Sequence, residues 1–390
     1  MKDTEGSSGF GREVPIVWNR RKTVAWVPGL LCGREFPLSV PTGRAVERAT
    51  TICRTASADA PASWEVLARL TLRSEGAASS AIEGVHAGYS AIALAQRVGR
   101  VSTDAETWVA DNLAALHAAL DHAAGVSEIT LEDLNSWHEL LMRSSALPVH
   151  MIGRVRTEQG WIGGSSPFDA ALVTPPPEFL EQLLTDLLDF CNRGSSRAPA
   201  ADSDGVASAA IAHAQFETIH PYADGNGRLG RILLLWMVTR ELRLTYPPAL
   251  SVRLERNRGA YLSGLTLFQG GSHDQWIRSL ADMLTEAAHD MRRVTREVEQ
   301  LLLRWVSAVE DLRVDSAAVA ALALIPRWVV LDANLVASSL DVSTRAARGA
   351  LARLVSRGVL QMMELAKLET VGRPSPQYVS PELLRILAAN

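Results

Sequence analysis

Cysteine is almost missing from this chain. Its three copies among 390 residues, Cys32, Cys53 and Cys191, are spaced for neither a disulfide framework nor a zinc site. A reducing compartment, the cytoplasm, is therefore the expected setting. An excess of charge of one sign is also missing, because 39 Lys and Arg face 43 Asp and Glu for a net charge of −4. That balance excludes a protein whose whole surface binds a polyanion. The two longest apolar runs, Ala317–Pro326 and Ile232–Val238, fall far short of the ~20 residues a bilayer span requires. Lys2–Gly9 is polar and lacks the apolar stretch of a signal peptide, so no membrane association is expected. No P-loop sequence occurs. His138-Glu139 opens a zinc-protease pattern, but Met142 stands where the second histidine would fall, so His138 is read as structural.

The 47% hydrophobic and 21% charged residues are an ordinary globular mixture, and the length fits roughly two to three domains. Residues 1 to about 45 are rich in Gly and Pro, with Trp18 and Trp26 among them, which predicts an irregular arm. From Val46 to about Leu312 helical periodicity dominates. Val66, Leu67 and Leu70 mark one helical face, and Ala77, Ala78 and Ile82 a short second helix. Asn112–His122, Leu131–Met142, Pro177–Cys191 and Val206–Thr218 read as further helices, and Asn192–Gly205 as a surface loop. Between them, Gly153–Val173 carries Trp161-Ile162-Gly163-Gly164 and reads as a β-hairpin. Apolar residues from Leu280 to Val309 recur at helical spacing, predicting one long amphipathic helix: a connector, a homodimer seam, or a helix packed on its own domain. Beyond Arg313 the expected elements are helices at Ala317–Leu324, Ala333–Leu340 and Thr344–Arg357, with Ser343 as an N-cap. A two-stranded wing over Val359–Val379, centred on Gly372-Arg373-Pro374, completes a winged helix-turn-helix order.

The stretch from Phe216 to Arg231 concentrates the chemistry. His220-Pro221 leads into Asp224-Gly225-Asn226-Gly227-Arg228, and Arg231 lies three residues on, where an apolar helix begins. Free N–H groups of Gly225, Asn226 and Gly227 at a helix N-terminus make an anion cradle, and glycine allows close backbone approach. Arg228 and Arg231, one turn apart, reach a common polyphosphate. Asp224 suits a Mg²⁺ ion bridging phosphate oxygens. His220 is placed to take a proton from a hydroxyl. Singly, each residue has an ordinary structural explanation. Together, base, metal ligand and cradle within twelve residues describe a phosphate-transfer site.

His220–Arg231 resembles the active-site motif of the Fic (filamentation induced by cAMP) family, with Tyr222 in place of the usual Phe. Every polar position matches. Arg154–Gly164 resembles the family's flap, with Trp161, Ile162 and Gly163 in agreement and Gly160 where Val is common. Upstream, Ser79-Ser80-Ala81-Ile82-Glu83-Gly84 resembles the inhibitory motif of the family, and the similarity covers roughly residues 50 to 285.

The resemblance implies a mainly α fold: a Fic-type helical bundle with a small β-hairpin flap, followed by the winged helix-turn-helix. It implies an N-terminal arm and inhibitory region over 1–100, a catalytic core over 101–285, a connector over 286–312 and the tail over 313–390. It further implies transfer of AMP from Mg-ATP, as co-substrate, to a serine, threonine or tyrosine hydroxyl of a target protein, and of this protein itself. In that scheme His220 is the base and Asp224 holds Mg²⁺. Gly225, Asn226, Gly227 and Arg228 cradle phosphates, and Arg231 grips the γ-phosphate. Glu83, with Ser79 and Gly84, blocks the γ-phosphate position. Gln159, Gly160, Trp161, Ile162 and Gly163 add the target as a strand. Tyr261 resembles a residue lining the adenine pocket. Other donors, or removal of AMP with help from Glu83, remain open within the family.

The tail from Ser316 onward holds eight basic and five acidic residues, and Arg345, Arg348 and Arg353 lie on its presumptive recognition helix. These arginines serve either DNA or a protein partner. The competing class of function is a DNA-binding regulator with the nucleotide site as a sensor. The intact His220 argues for an enzyme, since sensing a nucleotide needs no base.

Overall fold

The computed structural model describes residues 10–58, 64–98, 104–125, 128–193, 205–363 and 375–388. The N-terminal arm is irregular over 29–39, as expected, but not over 11–28. Gly11–Trp18 (β1) and Arg21–Pro28 (β2) pair antiparallel, with Trp18 opposite Arg21. Asn19 and Arg20 between them both have positive φ, 47° and 64°, the backbone of a two-residue turn that follows strand twist. Branched and aromatic residues, Val14, Ile16 and Trp18 against Thr23, Val24 and Trp26, outweigh the glycines and prolines around them.

Helices follow. Val40–Ala58 (α1) precedes Trp64–Ile82 (α2), Tyr89–Val98 (α3), Asp104–Ala124 (α4) and Leu131–Met142 (α5). The break expected within α2 does not exist. Gly76 sits mid-helix because a Cβ there would stand 2.6 Å from Leu113 of α4, so the glycine permits close packing instead of ending the helix. Helix α5 has the predicted bounds, and Thr130 and Asp133 close a reciprocal capping box at its start.

Strands Trp161–Ile162 (β3) and Leu172–Val173 (β4) form the expected hairpin, and Leu180–Asn192 (α6) follows it. Gly205–Ile219 (α7) and Asn226–Leu242 (α8) are buried on nearly all sides, which is why neither shows a polar face. They pack on each other, with α4 and α5 against α8 and α6 and α1 against α7. The central pair thus fixes the Phe216–Arg231 loop in the middle of the molecule. Most of the expected loop 192–205 lies outside the described residues.

Leu250–Arg256 (α9), Arg258–Gln269 (α10) and His273–Ala308 (α11) complete this layer. Helix α11 is continuous over 36 residues, so the boundary expected at 285/286 falls inside it. Its apolar stripe, including Leu280, Leu284, Ala287, Met291 and Val298, packs on α1, α7, α9 and α10 of its own chain. The seam is therefore already covered.

In the tail, the helix expected at Ala317–Leu324 is two short ones, Ala317–Ala321 (α12) and Leu324–Trp328 (α13). Val330–Leu331 (β5), Ala333–Leu340 (α14) and Thr344–Ser356 (α15) follow, with Ser343 accepting from the Ala346 N–H as N-cap. Gln361–Met363 (β6), Gln377–Val379 (β7) and Pro381–Ala388 (α16) are the last elements among the described residues, and the sheet order is β5-β7-β6. The wing tip at Gly372–Pro374 lies outside the described residues. The tail is anchored to the body: Arg73 of α2 donates to the Arg327 carbonyl at 3.2 Å, and Arg97 of α3 pairs with Asp332 at 2.9 Å. No helix among the described residues is long and apolar enough to cross a membrane.

Two glycine substitutions separate the packing argument from helix propensity. Gly76→Ala should destabilise by about 1–3 kcal/mol in urea melts because Leu113 is buried and cannot withdraw. Gly43→Ala in α1, where a Cβ meets nothing within 4 Å, should stabilise by up to about 1 kcal/mol.

Candidate active site

Helix α7 ends at Ile219, and His220 is its left-handed cap, with φ 51°. The His220 N–H donates to the Phe216 carbonyl at 2.9 Å, and Pro221 prevents the helix from continuing. The Nδ1 of His220 lies 3.3 Å from the Glu217 carbonyl, so it carries the hydrogen and Nε2 keeps a free lone pair. Burial pushes the imidazolium down to about 4, opposed by the Glu217 carbonyl and helped by Arg156. His220 is thus neutral near pH 7 and able to accept a proton.

The loop after it is tied from within. Asn226 accepts from the Tyr222 N–H and donates to the Tyr222 carbonyl, both at 2.8 Å. The Asn226 side chain is therefore a clamp, leaving its backbone N–H for the cradle. The Tyr222 ring stacks on His138, centroids 4.2 Å apart, and its hydroxyl donates to Asn135 at 2.9 Å. His138 accepts from the Gly153 N–H at 2.8 Å, so its Nε2 donates to the Asp224 carbonyl at 3.0 Å. His138 holds the loop, as its reading from the sequence has it.

Gly225, φ 77°, is the N-cap of α8, and the first N–H groups of that helix have no partner within it. Arg228 is buried, rests against the Met142 sulfur at 3.5 Å, and leaves its Nε without a partner. Arg231 is 2% exposed. A donor-rich helix start with a glycine at Gly227 and an unsatisfied buried guanidinium nitrogen fits a polyphosphate. Asp224 is exposed and uses Oδ1 to accept from the Gly225 N–H at 2.6 Å, which leaves its other oxygen for an ion. One carboxylate fits Mg²⁺ that takes its remaining ligands from phosphate and water. No cluster of three or more His, Cys, Asp or Glu suited to an all-protein metal cage occurs among the described residues.

Helix α2 delivers Ser79 and Glu83 to this cradle. Arg231 donates from Nε to Ser79 Oγ at 3.0 Å, and from one Nη to the Ser79 carbonyl at 2.8 Å and to Glu83 Oε1 at 2.9 Å. Glu83 is the C-cap of α2. The Val85 N–H returns to the Ser80 carbonyl and the Gly84 N–H to the Ala81 carbonyl, with Gly84 at φ 82°, so the glycine closes a Schellman turn. A carboxylate at a helix C-terminus opposes the helix dipole, so its position depends on Arg231. Burial works against the charge of Glu83, but Arg231, with Arg228 and His220, outweighs it and holds the carboxyl below its usual range. The carboxylate lies so near the cradle that a Cβ on Gly227 would fall 2.1 Å from Glu83 Oε1.

Several participants are not visible in the sequence. Arg156, buried, donates to the His220 carbonyl at 2.8 Å, the Glu158 carbonyl at 2.6 Å, Thr174 Oγ1 at 3.0 Å and the Pro175 carbonyl at 2.7 Å. It joins the base of the flap to the histidine; its only sequence signal is an arginine shortly before the hairpin. Glu217, three residues before His220, is buried with one oxygen unpartnered, and burial raises its carboxyl to about 7 against the pull of Arg231. Glu75 of α2, likewise raised to about 7 by burial, accepts from the Ser251 N–H at 2.7 Å.

The flap residues come together as expected. Trp161 pairs with Val173, Gln159 donates to the Thr174 carbonyl at 2.6 Å, and Gly163 has φ 69°. Gly160 stands where a Cβ would meet Thr174 Oγ1 at 2.9 Å and Arg156 Nε at 3.0 Å, which explains the absence of a larger residue. Tyr261 fits the core reading that the sequence left as open as the pocket one. It is 1% exposed, bonded through its hydroxyl to His213 Nε2 at 3.0 Å, and belongs to the core behind Arg231 instead of an open pocket wall. Arg345, Arg348 and Arg353 are exposed on α15 in the tail and are not part of this site.

The Fic/DOC family model matches residues 128–238, the span from the start of α5 through most of α8. This segment, which carries the His220–Arg231 loop, is similar to the Fic/DOC family. Protein adenylyltransferase fic-1 of Caenorhabditis briggsae is 30% identical over 154 residues, 40% of this chain and 27% of that protein. Protein adenylyltransferase Fic of Drosophila willistoni is 32% identical over 166 residues, 42% of this chain and 29% of that protein. The chain thus spans under a third of the curated relatives it matches. A Fic family protein from Desulfovibrio desulfuricans superposes with a TM-score of 0.52 at 20% identity, covering 88% of this chain and 97% of that one. The two chains therefore share a mainly helical fold over most of this structure.

Removing the Arg156 guanidinium should loosen the site before it unfolds the protein. Arg156→Met leaves buried acceptors unpaired and should cost about 2–4 kcal/mol in denaturant melts. Amide exchange in the flap, residues 160–174, should accelerate more than in α7. Unchanged flap exchange would contradict the tie.

Proposed function

We propose that the protein is a self-inhibited adenylyltransferase that moves AMP from ATP to a serine, threonine or tyrosine hydroxyl of a target protein. The observation that carries this is the Glu83–Arg231 pair at 2.9 Å, in a phosphate cradle with a neutral histidine at its rim. The names of the relatives, protein adenylyltransferases, support the same chemistry.

In this reading the His220 Nε2 lone pair takes the proton of the target hydroxyl as its oxygen forms a bond to the α-phosphorus. The α–β bridging bond breaks, and pyrophosphate leaves along the α8 cradle. The N–H groups of Asn226 and Gly227 and the Arg228 guanidinium stabilise the charge that develops on the phosphate oxygens, whereas the Gly225 N–H, expected in the cradle, is taken by Asp224 Oδ1. Mg²⁺, held by the free Asp224 oxygen, would neutralise phosphate charge when bound. Arg231 would grip the γ-phosphate. Glu83 occupies that grip, so ATP enters with its α-phosphate out of line for attack. The flap receives the target as an added strand through backbone hydrogen bonds, which read little sequence.

The tail is proposed as a winged-helix docking module for DNA or a protein, supported by the helix-turn-helix order of α14 and α15 and by exposed Arg345, Arg348 and Arg353. Through Arg73 it reaches α2, the helix that carries Glu83.

Glu83→Gly should take up label from ATP carried on the α-phosphate but not on the γ-phosphate, in itself or in added protein. Wild type should label weakly, and Glu83→Gly/His220→Ala should not label. Label from the γ-phosphate would replace this reading with a kinase. The pH profile gives a second check. With His220 held near 4, its base form is present throughout the neutral range and is lost only as pH falls toward 4. The transfer rate of Glu83→Gly should therefore stay level through pH 6.5, where an ordinary histidine, pKa about 6.5, would already have lost half its base form.

A further inference from the structure

Four buried titratable groups sit around Arg231, and the transfer chemistry uses none of them. His213 and Glu217 come from α7, Tyr261 from α10 and Glu75 from α2. The hydrogen bonds of the first and third run one way. His213 Nδ1 lies 2.9 Å from the Gly230 carbonyl, which can only accept, so Nδ1 carries the hydrogen. Burial pushes the imidazolium down to about 3, so Nε2 keeps its lone pair and accepts from the Tyr261 hydroxyl at 3.0 Å. The Tyr261 oxygen, its own hydrogen engaged, accepts from the Arg231 guanidinium. A chain of neutral groups thus runs from Arg231 through Tyr261 and His213 back to the backbone of α8.

The two carboxyls do little to cancel the cation from this side. Burial pushes Glu217 and Glu75 up to about 7, so neither is a full counter-charge near neutral pH. The charge of Arg231 is therefore directed forward, to Glu83. The forward partners have a different weakness. Ser79 and Glu83 both ride on α2, so a movement of that helix removes them together. Tyr261 does not move with α2. Its ring stacks on His213 with centroids 5.9 Å apart and planes 15° from parallel, and lies 6.2 Å from Trp276 of α11. The Trp276 indole in turn donates to the Ala210 carbonyl at 2.8 Å. Among the described residues, the Tyr261 hydroxyl is the tie on Arg231 that stays when α2 leaves.

We propose that Tyr261 and His213 are positioning residues for Arg231: a neutral bond from α10 aims the guanidinium into the cradle and leaves its charge for a terminal phosphate, so that the site distinguishes a triphosphate from a diphosphate while α2 is withdrawn. The proposal rests on the reading of Arg231 as the γ-phosphate grip. A carboxylate in place of Tyr261 would aim the guanidinium equally well but would compete with the phosphate for its charge. A phenol held by a neutral imidazole does the first without the second.

The test is calorimetric binding of ATP and of ADP, with Mg²⁺, to the full chain carrying Glu83→Gly/His220→Ala, in which no carboxylate competes and no ATP is consumed. This reference protein should bind ATP more tightly than ADP. Adding Tyr261→Phe should weaken ATP by about fivefold or more, the loss of a bond to a buried charge, and leave ADP within about twofold. Tyr261→Phe keeps the ring in place, and His213→Leu reaches the same bond from the other end with the same expected result. His213→Gln, whose amide still offers the hydroxyl an acceptor, should keep most of the preference. With Arg231→Lys added, the preference should already be gone, and Tyr261→Phe should change it no further. A merely structural role would lower the melting temperature and leave the ratio of the two affinities where it was. A ratio unmoved by Tyr261→Phe and His213→Leu overturns the proposal, and so does equal affinity of the reference protein for ATP and ADP. None of these readouts needs transfer: a Glu83→Gly protein that labels nothing, while Tyr261→Phe still lowers the ratio, would remove the transfer reading and leave the positioning role.

Discussion

The buried guanidinium of Arg231 is the constraint on which the rest of the site depends. A charge this deep needs partners, and α2 supplies three of them: the Ser79 hydroxyl, the Ser79 carbonyl and the Glu83 carboxylate. One side chain thereby joins the helix that opens the cradle to the helix that closes it. The same contact sets the conformation of Glu83, since a carboxylate capping a helix C-terminus is unfavourable without a cation in front of it. In the proposed reading a γ-phosphate is the alternative partner. The switch is then an exchange of one anion for another on a cation that stays where it is.

A fixed cation demands a fixed loop, and the structure supplies it from both ends. Asn226 clamps the Tyr222 backbone, His138 holds the Asp224 carbonyl, and Arg156 holds the His220 carbonyl while gripping the base of the flap. Flap and histidine are thus parts of one polar network. This fits a reaction in which the position of an added strand decides which hydroxyl meets the base. The tail reaches the same network by another route, because Arg73 lies on α2 two turns before Ser79.

What could be read from the sequence divides along a physical line. Local chemistry was legible: His220, Asp224, the glycines and both arginines are dictated by the covalent spacing of a loop entering a helix, and Leu131–Met142 by its cap and periodicity. Tertiary causes were not. The single helix over 64–82 was divided in two, because what holds Gly76 inside it, Leu113, is on another helix. The β1–β2 hairpin was hidden by the glycines and prolines around it, although its strand residues alternate. Arg156 gave almost no signal, since its acceptors are carbonyls, which no side chain advertises. The sequence left Tyr261 open between a pocket wall and a core tyrosine, because its partners His213 and Arg231 and its burial are properties of the packed core. Asn226 was read only for its backbone, and its side-chain clamp on Tyr222 was not visible.

The central claim is that Glu83 and the terminal phosphate of ATP compete for Arg231. The most direct measurement is calorimetric affinity for ATP and for ADP in wild type and in Glu83→Gly. Competition at the γ-position predicts that the substitution tightens ATP by about tenfold or more, the loss of a charge-assisted rival, and leaves ADP nearly unchanged. Equal effects on both nucleotides, or none on ATP, would contradict it and make the Glu83–Arg231 pair an ordinary bridge between helices.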